Sequence, residues 1–159
     1  MSAVTLAPGR NPGEGARISG YASVFGIPDE AHDVVVRGAF RRSLKERGAA
    51  GIRMLWQHDP GKPIGIWDEA HEDRLGLRLA GRLLTATAAG REAALLVAAG
   101  ALDGLSIGFR ARSARRDPAS GMRRIFDIDL WEVSLVTFPL HPAARLDALA
   151  GAAPRATSR

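Results

Sequence analysis

Short runs in which apolar residues alternate with polar or small ones dominate the chain from residue 18 onward, and two stretches break that rhythm with a helical spacing. Alternation with period two places successive side chains on opposite faces of a sheet, so each run predicts a half-buried strand. ISGYASVFG (18–26), IRMLWQHD (52–59), PIGIWDEAHED (63–73) and RLGLRLAGRLL (74–84) read this way, with a Pro60-Gly61 turn after the second. In LDGLSIGFRARSARR (102–116), Leu105, Ile107 and Phe109 point one way and Ser106, Gly108 and Arg110 the other. RRIFDIDLWEVSLVTFP (123–139) follows across a DPASGM turn (117–122), and the two stretches predict a hairpin.

The helical spacing appears in GAFRRSLKERG (38–48), where Phe40 and Leu44 share a face and Gly48 is a natural C-cap. It appears again in TAAGREAALLVAAG (87–100), rich in Ala and Leu and stopped by glycine. A further short Ala/Leu helix is expected from Pro142. IPDEAHD (27–33) reads as a loop. Residues 1–16, rich in Gly, Pro and small side chains, are expected to be disordered. Residues 17–147 then form one folded domain and 148–159 a flexible tail. The fold class is mainly β with helices (α+β).

At 159 residues the chain is long enough to bury one core, and 46% hydrophobic with 25% charged residues is the balance of a globular protein. No apolar run is long enough to span a bilayer, and MSAVTLAPGRNPGEGAR lacks the apolar middle of a signal peptide. Zero cysteines exclude a disulfide, a thiolate nucleophile and a Cys-ligated zinc. An intracellular protein is expected. The net charge of +5 comes from scattered arginines, with a local run at Arg110, Arg112, Arg115 and Arg116. No aromatic residues interleave with that run to stack on bases, which argues against nucleic acid as the main partner.

Two motif matches fail. Gly104-Leu105-Ser106-Ile107-Gly108 is a literal G-x-S-x-G, the nucleophile elbow of α/β-hydrolases. That elbow needs a strand–turn–helix context and the chain order nucleophile, acid, histidine. Here alternation and a basic run follow Ser106, and the one later histidine is His141, beside Pro142. Asp68-Glu69-Ala70-His71 spells a helicase motif, but no phosphate-cradling G-x-x-x-x-G-K-[ST] loop accompanies it. His71, Glu72 and Asp73 read as a solvated loop, and they and His58 lack recognised zinc-ligand spacing. No metal and no cofactor is expected.

There remain a serine, a histidine and an acid. Serine attack on a carbonyl needs a base within hydrogen-bond reach and a third group to orient that base. His58 ends an apolar strand just before a turn, a place both supported and accessible. Gly104 and Gly108 flank Ser106 and clear space for a substrate backbone. Glu132, amid Trp131, Val133, Leu135 and Val136, needs a partner if buried, and an imidazolium supplies one. A solvent-facing glutamate on a strand edge is the alternative reading.

YASVFG (21–26), VVVRGAF (34–40), MLWQHDPGKPIG (54–65), GLRLAGRL (76–83), LLVAAGALDGLSIGFRA (95–111) and IDLWEVSLVTFPLHPAA (128–144) occur in one order at compact spacing. This set resembles the tailed-phage prohead proteases, capsid maturation serine peptidases related to herpesvirus assemblin. The likeness runs from about Ile18 to Arg145. It implies a closed or nearly closed, mainly antiparallel β-barrel wrapped by helices, like the herpesvirus proteases. It also implies a serine endopeptidase with His58 as base and Ser106 as nucleophile. Glu132, in the E-V-S-L-V segment, is the best match for the third member. His141 is the rival, because assemblin-type peptidases use a second histidine there, though prohead proteases often carry Asn at that position. The substrates implied are the scaffold or N-terminal segment of the major capsid protein precursor and the protease itself. The setting is the bacterial cytoplasm, inside a procapsid encoded by a phage or gene-transfer element. Self-association as a dimer stays open. The runner-up is a catalytically silent capsid scaffold or assembly protein of the same fold.

Overall fold

The computed structural model describes residues 15–147. The segments expected to be disordered or flexible lie outside the described residues, except Gly15 and Ala16, and Ala16 already opens the first strand. Eight strands are present among the described residues: β1 (Ala16–Val24), β2 (Asp33–Val35), β3 (Arg53–Trp56), β4 (Asp59–Glu72), β5 (Gly76–Leu83), β6 (Gly104–Arg116), β7 (Arg123–Val136) and β8 (Arg145–Leu146). Two helices, α1 (Arg41–Arg47) and α2 (Ala88–Ala98), pack against them.

The pairing order β7-β3-β4-β5-β1-β8-β6 returns to β7 through the β6–β7 hairpin, so seven strands close a barrel. β2 joins the other end of β7 outside that ring. β3–β7 and β2–β7 are parallel, and the remaining pairs are antiparallel, so the expected barrel is present with a mixed patch around β7.

The alternation, reset where β-bulges interrupt the β6–β7 ladder, sets which side chains fill the barrel. Leu77, Leu79 and Leu83 of β5, Leu105 of β6, and Ile125, Ile128, Leu130, Val133 and Leu135 of β7 are fully buried with Trp67 of β4. Each such side chain contributes roughly 1.5–3 kcal/mol by leaving water. α1 ends at Gly48, whose φ of +67° is a conformation glycine adopts without steric cost. α2 starts at Thr87, whose hydroxyl accepts the Gly90 amide at 3.0 Å.

Three expectations are corrected. The tight turn between β3 and β4 is Gln57-His58, not Pro60-Gly61: Trp56 pairs with Asp59, and the ladder resumes at Leu55 with Pro63. Pro60, Gly61 and Lys62 bulge out of β4, which suits a proline with no amide to give the ladder. The segment after Pro142 forms no helix among its described residues. Its Arg145 and Leu146 are β8, seated between β1 and β6 by Leu105 N–H to Ala144 O (2.9 Å), Leu146 N–H to Asp103 O (2.8 Å) and Asp147 N–H to Ser19 O (2.8 Å). His71, Glu72 and Asp73 are not a solvated loop. Glu72 ends β4 and accepts the amides of Gly38 (3.0 Å) and Phe40 (2.9 Å), fixing the entry to α1. Asp73 accepts the Tyr21 hydroxyl and the amides of Leu75 and Gly76. The tyrosine hydroxyl, then those amides, hold its carboxyl below the ordinary carboxylate range.

Candidate active site

β6 and β7 are the longest antiparallel pair of the barrel, and their register sorts the site. Leu105 faces Leu135 and Ile107 faces Val133, forming the row that turns inward. Ser106 lies opposite Ser134 and Gly108 opposite Glu132, so these four residues share the other face. β3 lies parallel on the far edge of β7, with Leu55 beside Ser134 and Trp56 beside Leu135. The chain leaving β3 therefore arrives next to the Ser134–Glu132 row.

His58 is inside the turn that follows, rather than at the end of a strand before it. Gln57 and His58 both have positive φ, +50° and +60°. A left-handed backbone costs a non-glycine residue roughly 1–2 kcal/mol, so neighbours must hold it. They do: Gln57 N–H donates to Leu135 O (2.9 Å) and His58 N–H to Ser134 Oγ (3.1 Å). The Gln57 side chain donates to Thr137 Oγ1 (2.7 Å) and accepts the Thr137 amide (3.2 Å).

From this turn the imidazole reaches back over β7, and His58 Nδ1 is hydrogen-bonded to Glu132 Oε1. Ser134 Oγ–H donates to the other carboxylate oxygen, Glu132 Oε2, at 2.6 Å. Glu132 is 4% exposed, which settles the choice between a buried and a solvent-facing acid. A carboxylate removed from water needs charge or hydrogen-bond partners, and both oxygens have one. The imidazole itself is 41% exposed. With a carboxylate on Nδ1, the neutral ring carries its proton there, and Nε2 is left as the basic nitrogen. The arrangement can orient an imidazole, leave one nitrogen free to take a proton, and stabilise the cation that results.

Ser106 is half-buried, and among the described residues nothing hydrogen-bonds its hydroxyl. It stands across from the serine that receives the His58 amide. The two flanking glycines do not leave the open space expected of them. A Cβ on Gly104 would meet the Pro139 ring at 2.9 Å. One on Gly108 would lie 2.3 Å from Glu132 Oε1 and 2.6 Å from Cδ. The room at Gly108 is filled by the carboxylate that bonds His58. Gly108→Ala is therefore expected to push Glu132 off the imidazole with the barrel intact. Loss of the carboxylate-bonded Nδ1–H signal of His58 by NMR, with an unchanged circular dichroism spectrum, checks this.

His141 does not join His58. Its Nδ1 accepts the Ala143 amide (3.1 Å) and its Nε2 lies 3.3 Å from Val24 O, so both ring nitrogens face backbone. It pins the segment after β7 to β1 and lines, with Ser106, Ser23 and Leu140, a cavity of about 30 Å³. Larger clefts, of about 290 Å³ beside β1 and β5 and about 670 Å³ between α1 and the end of β4, contain none of His58, Ser106 and Glu132. Among the described residues no group of three or more His, Asp or Glu is placed to hold a metal ion. No helix there is long and apolar enough to cross a membrane.

Sequence reading overlooked two supports, Ser134 and Gln57. Ser134 was discoverable, because it follows Glu132 by two on one strand and must share its face. Gln57 carried no such signal.

The model of the caudovirus prohead serine protease family matches residues 6–155. The prohead protease of Enterobacteria phage HK97 is 32% identical over 135 residues, which are 82% of this chain and 58% of that protein. The chain thus spans a little over half the length of that relative. Among solved structures, the bacteriophage T4 capsid assembly protease aligns over 79% of this chain and 84% of its own, with TM-score 0.64 at 16% identity. The KSHV protease, solved with a hexapeptide phosphonate inhibitor, aligns over 84% of this chain and 64% of its own, with TM-score 0.55 at 13% identity. At those identities the two structures speak for the fold, and they bear out the herpesvirus-protease-like barrel.

Proposed function

This chain belongs to the caudovirus prohead serine protease family, and from that premise we propose that it is a serine endopeptidase that cleaves the capsid precursor, and itself, inside an assembling procapsid. The observation that carries this reading is the His58–Glu132 bond, formed on the face of the β6–β7 hairpin that also bears Ser106. Ser106 Oγ attacks the substrate carbonyl while His58 Nε2 takes its proton. The imidazolium, stabilised by Glu132, then delivers that proton to the leaving amine. Water, deprotonated by the same nitrogen, releases the acyl group. The oxyanion needs backbone N–H donors. In the bend after β7, Gln57 already takes the Thr137 amide and Pro139 has none, which leaves the amides of Phe138, Leu140 and His141.

The exposed imidazole of His58 and the half-buried Ser106 on one sheet face suit an extended chain laid across the surface. The family's description as a prohead protease points to a capsid protein as that chain. The test is co-expression with the neighbouring capsid gene, followed by mass spectrometry of the products. New termini in the capsid protein are the expected result. An intact capsid protein would move the chain to the silent assembly role. His58→Ala is expected to lose cleavage by at least about a thousandfold, as losing a triad base does. The parent rate is expected to fall on acidification, because the base must be neutral to accept a proton. A rate flat across mildly acid to neutral pH, with chemistry limiting, would remove His58 from that role.

A further inference from the structure

We infer that Ser134 is a positioning residue that locks the His58–Glu132 pair in its working geometry. This rests on the reading of His58 as the general base. Ser134 is fully buried, and its one hydroxyl touches both halves of the pair. It donates to Glu132 Oε2 at 2.6 Å and accepts the His58 amide at 3.1 Å. Its donated proton ties down one carboxylate oxygen and thereby directs the other, Oε1, at His58 Nδ1. The accepted amide holds the His58 backbone at its φ of +60°, a left-handed conformation that costs a non-glycine residue energy. The Gln57 bonds to Leu135 O and Thr137, and the Trp67 indole N–H to Val133 O, grip the strand without reaching Glu132.

The consequence is chemical as well as mechanical. A hydrogen bond donated to a carboxylate draws charge from it, so Ser134 moderates how strongly Glu132 favours the imidazolium. Removing the hydroxyl leaves Oε2 buried with no donor. The carboxylate must then turn, and the Nδ1 bond loosens.

The experiment uses the full chain with two variants, Ser134→Ala and the hydroxyl-retaining Ser134→Thr. Each is made in the parent and in the inactive Ser106→Ala background. Nitrogen-15 NMR of the His58 ring in the Ser106→Ala chain needs no activity. There the Nδ1–H signal of a carboxylate-bonded imidazole is expected, lost or averaged with solvent in Ser134→Ala and restored in Ser134→Thr. In the active chain, Ser134→Ala is expected to lower kcat by about 10- to 100-fold with KM changed less than about twofold, and Ser134→Thr to restore it. An unchanged His58 spectrum in Ser134→Ala overturns the inference. So does a kcat loss that disappears on cooling, which is a stability effect alone. If the parent cleaves nothing while the His58 signal still depends on Ser134, the positioning role stands and the peptidase reading fails.

Discussion

Ser106→Ala is expected to leave the capsid precursor at full length when the two are co-expressed. Removing the nucleophile of a serine protease triad costs about a millionfold in kcat, so no product is expected on any practical timescale. The protein itself should be nearly unaffected. The Ser106 hydroxyl is half-buried and bonded to nothing among the described residues, so its loss strands no partner. The expected change in stability is within about 0.5 kcal/mol, seen as a thermal midpoint close to the parent's. The β6–β7 register is unchanged, because alanine fits the same strand position. Precursor processing that continues at the parent rate would strip Ser106 of the role, and the search for a nucleophile would have to leave β6.

Glu132→Gln against His141→Asn is the second large contrast. Loss of the orienting carboxylate in a serine protease triad drops kcat about ten-thousandfold, because the imidazole takes the wrong tautomer. Glutamine keeps the size and one carbonyl oxygen, but its amide is uncharged and cannot stabilise an imidazolium. Cleavage is therefore expected to fall by at least about a thousandfold in Glu132→Gln. His141→Asn should change the rate by less than about threefold while lowering stability by about 1 kcal/mol, through weakened contacts to Val24 O and Ala143 N–H. Rates for both variants on one precursor decide the matter. Severe loss confined to His141→Asn would transfer the third role to His141. Near-normal rates in both would leave a Ser–His dyad oriented by backbone or water.

How much of this was legible beforehand depends on the kind of fact. Alternation within 104–108 and 132–136 fixed which residues share a face, because side chains alternate along an uninterrupted strand, whereas the bulges that switch the buried set of β7 from Ile125 to Ile128 and Leu130 and back to Val133 and Leu135 left no mark in the pattern. That rule placed Ser106 on one face with Gly108, and Glu132 on one face with Ser134. The glycine and threonine at the ends of α1 and α2 were equally readable, since capping is local chemistry. β8 was not. Two residues carry no period, and Arg145 and Leu146 are a strand because the gap between β1 and β6 offers them hydrogen bonds.

By itself, then, the sequence determined the six longer strands and the absence of thiol chemistry, and it singled out His58, Ser106 and Glu132 as candidates with His141 as the rival. Tertiary structure decided which of the two rivals meets His58. Glu132 and His141 are both within reach of a sequence argument, but β3 docks parallel to β7, and that sets the His58 turn against Glu132 and leaves His141 bound to backbone. It also decided the turn itself. Pro-Gly is the stronger local signal, yet Gln57 and His58 take the left-handed turn, because bonds from Leu135, Ser134 and Thr137 offset its strain. Those partners lie about eighty residues away along the chain, and local preference holds no information about them.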